Sequence, residues 1–246
     1  MTLQRWITGR RVLTPPAIWG KLPGHADFVQ HRVQRGEGAA WRAWLEREGA
    51  FQEAGRAARI PIAFVLPPAA LPLGTRAYVM GAVRASHDRI GRPCPVLVYQ
   101  FAHPRWVHAY LGALSRAQRS QMDWLFLLTR LLAGADSAQT VPGRVEALSS
   151  AIDTQWQAHA PDMRCALVAA HAQSHALRMA EAANGEQRPA LPDPAADLQG
   201  VRFLPWSDWP RSLLKPPYRA AFWQQDANGG FIDAAEQLGP LWIERP

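Results

Sequence analysis

His25-Ala26-Asp27 sets a carboxylate two residues from an imidazole, an arrangement that could orient a base as in a catalytic triad. The third member is missing: the chain contains no Gly-x-Ser-x-Gly elbow. Cys94 lies between Pro93 and Pro95, with no helix N-terminus to lower its pKa, and makes a poor thiolate nucleophile. His171 and His175 stand four apart on an expected helix and share a face, which suits a two-histidine metal pair. A metalloprotease would carry Glu after the first histidine, but here that residue is Ala172, and a zinc ion wants a third or fourth ligand. His103 and His108, five apart, fall on different faces. No Walker loop or dinucleotide fingerprint occurs. No acidic pair has the spacing of glycosidase or two-metal chemistry.

The elements that would position these groups are legible in outline. Ala17–Leu22 reads as a first strand, stopped by Pro23-Gly24. A helix follows the Gly-Glu-Gly at 36–38, with Trp41, Trp44, Leu45 and Phe51 on its inner face and Arg42, Glu46 and Arg47 facing out. Pro61–Leu66, Ala77–Ala85 and Pro95–Ala102 read as strands, for which an antiparallel meander is the simplest topology. Helical patterns then cover Trp106–Leu114, Met122–Leu132, Val141–His159 and Asp162–Ala183. Met122–Leu132 is apolar nearly all round, so burial against the sheet is expected, with Gly134 ending it. The proline-rich stretch 186–199 reads as a long surface loop. Val201–Leu204 and Ala220–Gln225 read as late strands, Asn228-Gly229-Gly230 as a turn, and Asp233–Leu238 as a final helical turn. Trp206 and Trp209 flank a Ser-Asp turn and suit either a cap on the sheet end or an exposed hot spot. The expected architecture is α/β in the α+β sense, an antiparallel sheet with helices packed on it.

With 246 residues, 48% of them hydrophobic, the chain can bury a substantial core. About 50 residues beyond the 186–199 loop are too few to fold alone, so 17–246 reads as a single domain behind a loose basic arm, 1–16. The net charge is +7, nearly all from arginine, since Lys21 and Lys215 are the only lysines. That charge is spread rather than clustered and accompanies no nucleic-acid motif, so an acidic protein partner suits it better than nucleic acid. Two cysteines, no signal-peptide pattern and no apolar run of membrane length point to the cytoplasm, without membrane insertion.

The stretch SHDRIGR at 86–92 asks for a structural account. Ser86 and Asp88 can hydrogen-bond the backbone of their own loop. Arg92 offers a planar fork that Asp27 or Asp88 could accept, and Gly91 allows a positive φ before the next strand. An anion or partner contact through Arg89 and Arg92 is the alternative, and the physics favours a loop stapled by its own Asp–Arg pair.

Two segments together carry a resemblance. WGKLPGHADFVQHR at 19–32, with WRAWL at 41–45 behind it, is similar to the start of the TagF (ImpM) family. Gly20, Lys21, Leu22 and Pro23 match the family's Gly-Lys-Leu-Pro turn. Asp27 and Phe28 match its Asp-Phe, with Ala26 where Gly is usual. SHDRIGRPCPVLVYQ at 86–100 resembles the Ser-x-Asp-x-x-Gly-Arg run through Ser86, Asp88, Gly91, Arg92 and Pro95, while Cys94 and Val96 depart from the usual Phe and Leu. The resemblance implies a cytoplasmic accessory protein of bacterial type VI secretion, without enzymatic activity, cofactor or metal. It implies post-translational repression through a forkhead-associated scaffold protein or the secretion machine's membrane complex. It also implies a sheet with helices packed on it, of longin or SNARE-like or related three-layer type. Under it, WGKLPGHADF shapes a protein-binding surface and Asp27 pairs with Arg92 across the two motifs. The alternative is a hydrolase built on His25 and Asp27, or a metalloenzyme built on His171 and His175.

Overall fold

The computed structural model describes residues 13–51, 60–74, 76–104, 106–107, 120–135, 143–160 and 216–242. The expectations for 109–114, Asp162–Ala183, 186–199, Val201–Leu204, Trp206 and Trp209, His108, His171 and His175 lie outside them, as does 1–12 of the arm.

Among the described residues, seven strands form one antiparallel sheet in the order β2-β1-β5-β4-β3-β6-β7. They are β1 (Ala17–Gly20), β2 (Val29–His31), β3 (Ile62–Leu66), β4 (Tyr78–Arg84), β5 (Val96–Ala102), β6 (Ala221–Gln225) and β7 (Phe231–Ala235). The central meander β3-β4-β5 is as expected, with Ala63 opposite Ala82 and Gly81 opposite Tyr99. Strand β1 does not extend the meander in chain order. It lies on the far side of β5, Trp19 opposite Leu97, while β6 returns from the other end of the chain to pair with β3.

Helices cover both faces, which is why β3, β4 and β5 are buried along their whole length and lack a polar alternation. On one face lie α2 (Ser120–Gly134) and α3 (144–160). There Trp124, Leu125, Leu128 and Leu132 of α2, with Leu148, Ile152 and Trp156 of α3, pack on Ile18, Val65, Met80, Val98 and Trp223. The other face carries α1 (Glu37–Arg47), whose Trp41, Trp44 and Leu45 meet Phe64, Tyr99 and Phe222, and the short α4 (Gly239–Trp242). Trp41 contacts Tyr99 edge-on at 4.9 Å and Phe64 at 5.8 Å between ring centroids. Arg42, Glu46 and Arg47 are exposed, as the helical period required. The fold is therefore α+β, three layers deep, and no helix among the described residues is long and apolar enough to cross a membrane.

Four local expectations need correction. The first strand ends at Gly20, and Lys21–Leu22 already belong to the turn. Helix α1 ends at Arg47, so Phe51 packs on the core from beyond the helix and not from its inner face, while α2 lies against the sheet as expected, with Phe126, Leu127 and Leu131 half-buried and Arg130 exposed. Residues 233–235 are strand rather than helix. Asp226 Oδ1 accepts the Asn228 and Gly230 N–H groups at 2.8 and 2.7 Å, and the resulting tight turn folds Phe231–Ala235 back onto β6. Sheet pairing there overrides the helical preference of Ala-Ala-Glu. The last part of the arm is fastened: Thr14 exchanges bonds with Phe101, N–H to O at 3.0 Å and Oγ1 from N–H at 2.9 Å, while Gln100 donates to the Thr14 carbonyl at 2.6 Å.

Candidate functional site: a stapled corner and the cleft beside it

The turn after β1 and the loop between β4 and β5 meet at one end of the sheet because β1 and β5 are neighbours. Gly20 makes the close approach possible. Its φ is +133°, and a Cβ there would stand 2.2 Å from the Pro95 carbonyl oxygen. Lys21 N–H donates to that same oxygen at 3.4 Å. Leu22 is fully buried beneath, and the Leu-Pro-Gly-His turn closes with His25 N–H on the Leu22 carbonyl at 3.1 Å.

Asp88 is the centre of the corner. Its side chain is wholly buried and takes Lys21 Nζ at 2.8 Å and Arg92 Nε at 2.6 Å, both on Oδ2. Oδ1 accepts the backbone N–H groups of Ile90 and Arg92 at 3.0 and 2.9 Å. Burial by itself would raise this carboxyl's pKa. The Lys21 ammonium, the Arg92 N–H and guanidinium and the Ile90 N–H outweigh it and hold the group well below the usual carboxylate range. Gly91, at φ +84°, lets the loop curl around the carboxylate. Two further bonds lock the turns together: Arg89 N–H to the His25 carbonyl at 2.9 Å, and Arg92 Nη2 to the Ala26 carbonyl at 3.5 Å.

One ion pair does join the two motifs, but its partners differ from those expected. It is Lys21–Asp88, not Asp27–Arg92. Asp27 is exposed and its Oδ1 accepts the Phe28 N–H at 2.8 Å, a local cap that turns it away from Arg92. Lys21, with its long stem, reaches inward, and Arg92 stays with the aspartate of its own loop, as the physics favoured. Ser86 also departs from expectation. Its carbonyl accepts the Cys94 N–H at 2.9 Å, but its buried hydroxyl has no partner among the described residues.

The arrangement does not assemble a catalytic dyad. His25 Nδ1 is buried without a hydrogen-bond partner among the described residues, so Asp27 does not orient the ring through that nitrogen. Cys94 is buried and its thiol is pushed up to about 11 by that burial, which keeps it protonated at neutral pH. No group of three or more His, Cys, Asp and Glu side chains suited to a metal occurs among the described residues.

Phe28 links the corner to a cleft of about 500 Å³. Its ring stacks on Trp19 with centroids 5.0 Å apart, and Lys21 Nζ and Arg42 Cζ lie 5.2 and 4.8 Å from its centre. Helix α1 sets its three bulky residues over the middle of the sheet. Toward β1 and β2 it presents Gly38, Ala39 and Ala43, and those small side chains leave the cleft open. A Cβ on Gly38 would come within 2.7 Å of the Trp19 indole nitrogen. Arg35, Arg42 and Glu46 supply the charges along the cleft. The sequence marked Arg42 only as outward-facing. The clue to the cleft was the run of small residues on the same flank. Strand β2, three residues long, was not recognised as a strand either, and Arg32 at its end grips the Asp153 carboxylate of α3 with both terminal nitrogens.

The family model of the TagF N-terminal domain, described as type VI secretion system-associated, matches residues 17–152, more than half of the chain. The chain belongs to the TagF family. Both motifs, and the corner they build, fall inside the matched stretch. Among solved structures, the TagF-family chain is similar to PA0076 from Pseudomonas aeruginosa PAO1, at 25% identity and a TM-score of 0.41. That match covers 55% of this chain and 61% of the other. No curated protein matches.

Proposed function

We infer that this protein is a non-enzymatic accessory regulator of type VI secretion. It works in the cytoplasm as a post-translational repressor, by binding a forkhead-associated scaffold protein, the membrane complex of the machine, or both. The observation that carries the reading is the fate of the motif residues. Gly20, Lys21, Asp88, Gly91 and Arg92 are used to close a rigid corner, which leaves none of them free for proton transfer or nucleophilic attack. What the corner offers outward is a protruding loop tip: Ile90 is 68% exposed and the Arg92 side chain 61%. An apolar tip flanked by arginines on a stiff support suits protein recognition.

The test is affinity capture from lysate of a host that makes the machine, comparing wild type with Ile90→Asp, a change at an exposed position that spares the staple. Recovery of a forkhead-associated protein or a membrane-complex component by wild type, with loss in Ile90→Asp, supports the reading. Capture of neither by a well-folded wild-type protein overturns it.

A further inference from the structure

We propose that the cleft between α1 and the β1–β2 end of the sheet is a docking groove for a short extended segment of a partner protein, one that brings an aromatic or aliphatic anchor flanked by Asp or Glu. The proposal rests on reading the chain as a partner-binding protein and adds where the partner sits and by what chemistry. The cleft measures about 500 Å³, and its floor is the half-buried Phe28 ring, backed by the buried Trp19 on which it stacks. Its depth is maintained by residue size: Gly38 lets α1 sit close on the Trp19 indole, and beside it the exposed Ala39 and Ala43 line the cleft with small side chains. That floor and flank accept an apolar anchor.

Charge selects what surrounds the anchor. Arg35 and Arg42 are both exposed on the cleft wall, and neither is neutralised by a carboxylate ion pair among the described residues. Arg42 is held in place by its contact with the Phe28 ring, so its donors are positioned before a ligand arrives. Glu46, one helical turn beyond Arg42, is the only acid lining the cleft among the described residues. The border strand β2 adds a second mode of contact. Its outer edge pairs with no strand among the described residues, so an extended segment laid along it gains backbone hydrogen bonds while alternate side chains enter the cleft. The chain's own N-terminal residues 1–12 are a poor occupant: they carry Arg5, Arg10 and Arg11 and no acid. The stretch 189–201, with Asp193 and Asp197 and no basic residue, is the internal competitor.

The test uses the full chain as bait for a random dodecapeptide display library, with selected peptides resynthesised, labelled and titrated by fluorescence anisotropy. The expected result is enrichment of peptides combining Asp or Glu with Phe, Trp, Tyr or Leu. Their affinity falls about ten-fold or more in Ala43→Trp, which fills the cleft from an exposed position, and in Arg42→Glu, the scale of one lost anchor. Binding weakens as salt rises. Absence of binders, binders without acidic bias, or binders indifferent to both variants overturns the proposal. So does binding that appears only when Asp193 and Asp197 are changed to Asn, which makes the occupant the chain's own loop. A shift from dimer to monomer in Ala43→Trp overturns it in favour of a second copy. Affinity capture with Ala43→Trp separates this inference from the functional one. Equal recovery of the secretion partner sinks the cleft and leaves the repressor reading standing, whereas failure of wild type to recover any such partner sinks the repressor reading.

Discussion

Replacing Gly20 by Ala tests whether the first motif is a packing device. The residue sits at φ +133°, a region that side chains with a Cβ occupy at a cost of about 1–3 kcal/mol. The added methyl would also lie 2.2 Å from the Pro95 oxygen, roughly 1 Å inside contact distance, so the first residues of β5 must move. That movement breaks the already long Lys21 N–H bond to Pro95, worth about 0.5–1.5 kcal/mol. Together these give about 3 kcal/mol, and for a chain of this size a melting temperature lower by about 6–12 °C. Gly91→Ala is the matched control. Its φ is +84°, but nothing lies within 4 Å of its would-be Cβ, so only the backbone cost of about 1–2 kcal/mol applies, roughly 2–8 °C. Thermal melts of both variants followed by circular dichroism make the comparison. A second readout follows from composition: with only two lysines in the chain, succinylation of Lys21 can be tracked by mass spectrometry, and Gly20→Ala should raise its rate by loosening the grip of Asp88. A Gly20→Ala melt within about 2 °C of wild type, or one milder than Gly91→Ala, refutes the close-approach argument.

Other perturbations follow from the same geometry. Lys21→Met should lower the melting temperature clearly, whereas Asp27→Ala should leave it within about 2 °C, since exposed substitutions seldom exceed about 0.5 kcal/mol; the reverse order would restore an Asp27–Arg92 pairing. Because the folded-state pKa of Asp88 is depressed, its contribution to stability is present above about pH 4 and lost as pH falls through the folded value. Denaturant melts at falling pH should show that loss in wild type and a flatter profile in Asp88→Asn. In the alkaline direction, Cys94 at about 11 and Tyr78 at about 12 hold their protons longer than they do in the unfolded chain, so stability should decline above about pH 9. In a Cys165→Ser background, Cys94 should resist alkylation at pH 8 until denaturant is added; prompt labelling of native protein would contradict its burial. Tyr99→Phe removes a 2.6 Å bond to the buried Glu37 carboxylate and should cost about 1.5–3 kcal/mol in chemical denaturation.

What the sequence disclosed depended on the range of the physics involved. The meander strands were readable because Val, Tyr and Phe runs bounded by Pro and Gly specify strands locally, and α1 was readable from the spacing of Trp41, Trp44 and Leu45. Strand β2 was missed because Val-Gln-His is too short to show a period, and β7 because its strand state is imposed by the Asp226 turn and by β6. The pairing in the corner was misassigned for a related reason. Asp27 and Arg92 are opposite charges in two motifs that do meet, but which lysine or arginine reaches which carboxylate depends on side-chain direction, and Lys21 points inward where Asp27 points out. The cleft left only a faint trace, the small residues Gly38, Ala39 and Ala43, because a space is marked by what is missing from the side chains around it.

The sheet order also dictates a timetable. During synthesis the first motif leaves the ribosome early, yet β1 has no partner but the short β2 until β5 is complete at Ala102, so the Lys21–Asp88 pair must close across 67 residues. At the other border, β3 waits for β6, whose Phe222 and Trp223 complete both faces only after residue 225 has emerged. Until then β3 presents an open, apolar edge to every neighbouring nascent chain, the kind of edge that invites off-pathway strand pairing. A chain cut after residue 152, where the family match stops, would keep that edge for good. The boundary of recognisable ancestry is therefore not a boundary of folding, and slow, long-range closure is inherent in the way this sheet recruits its strands.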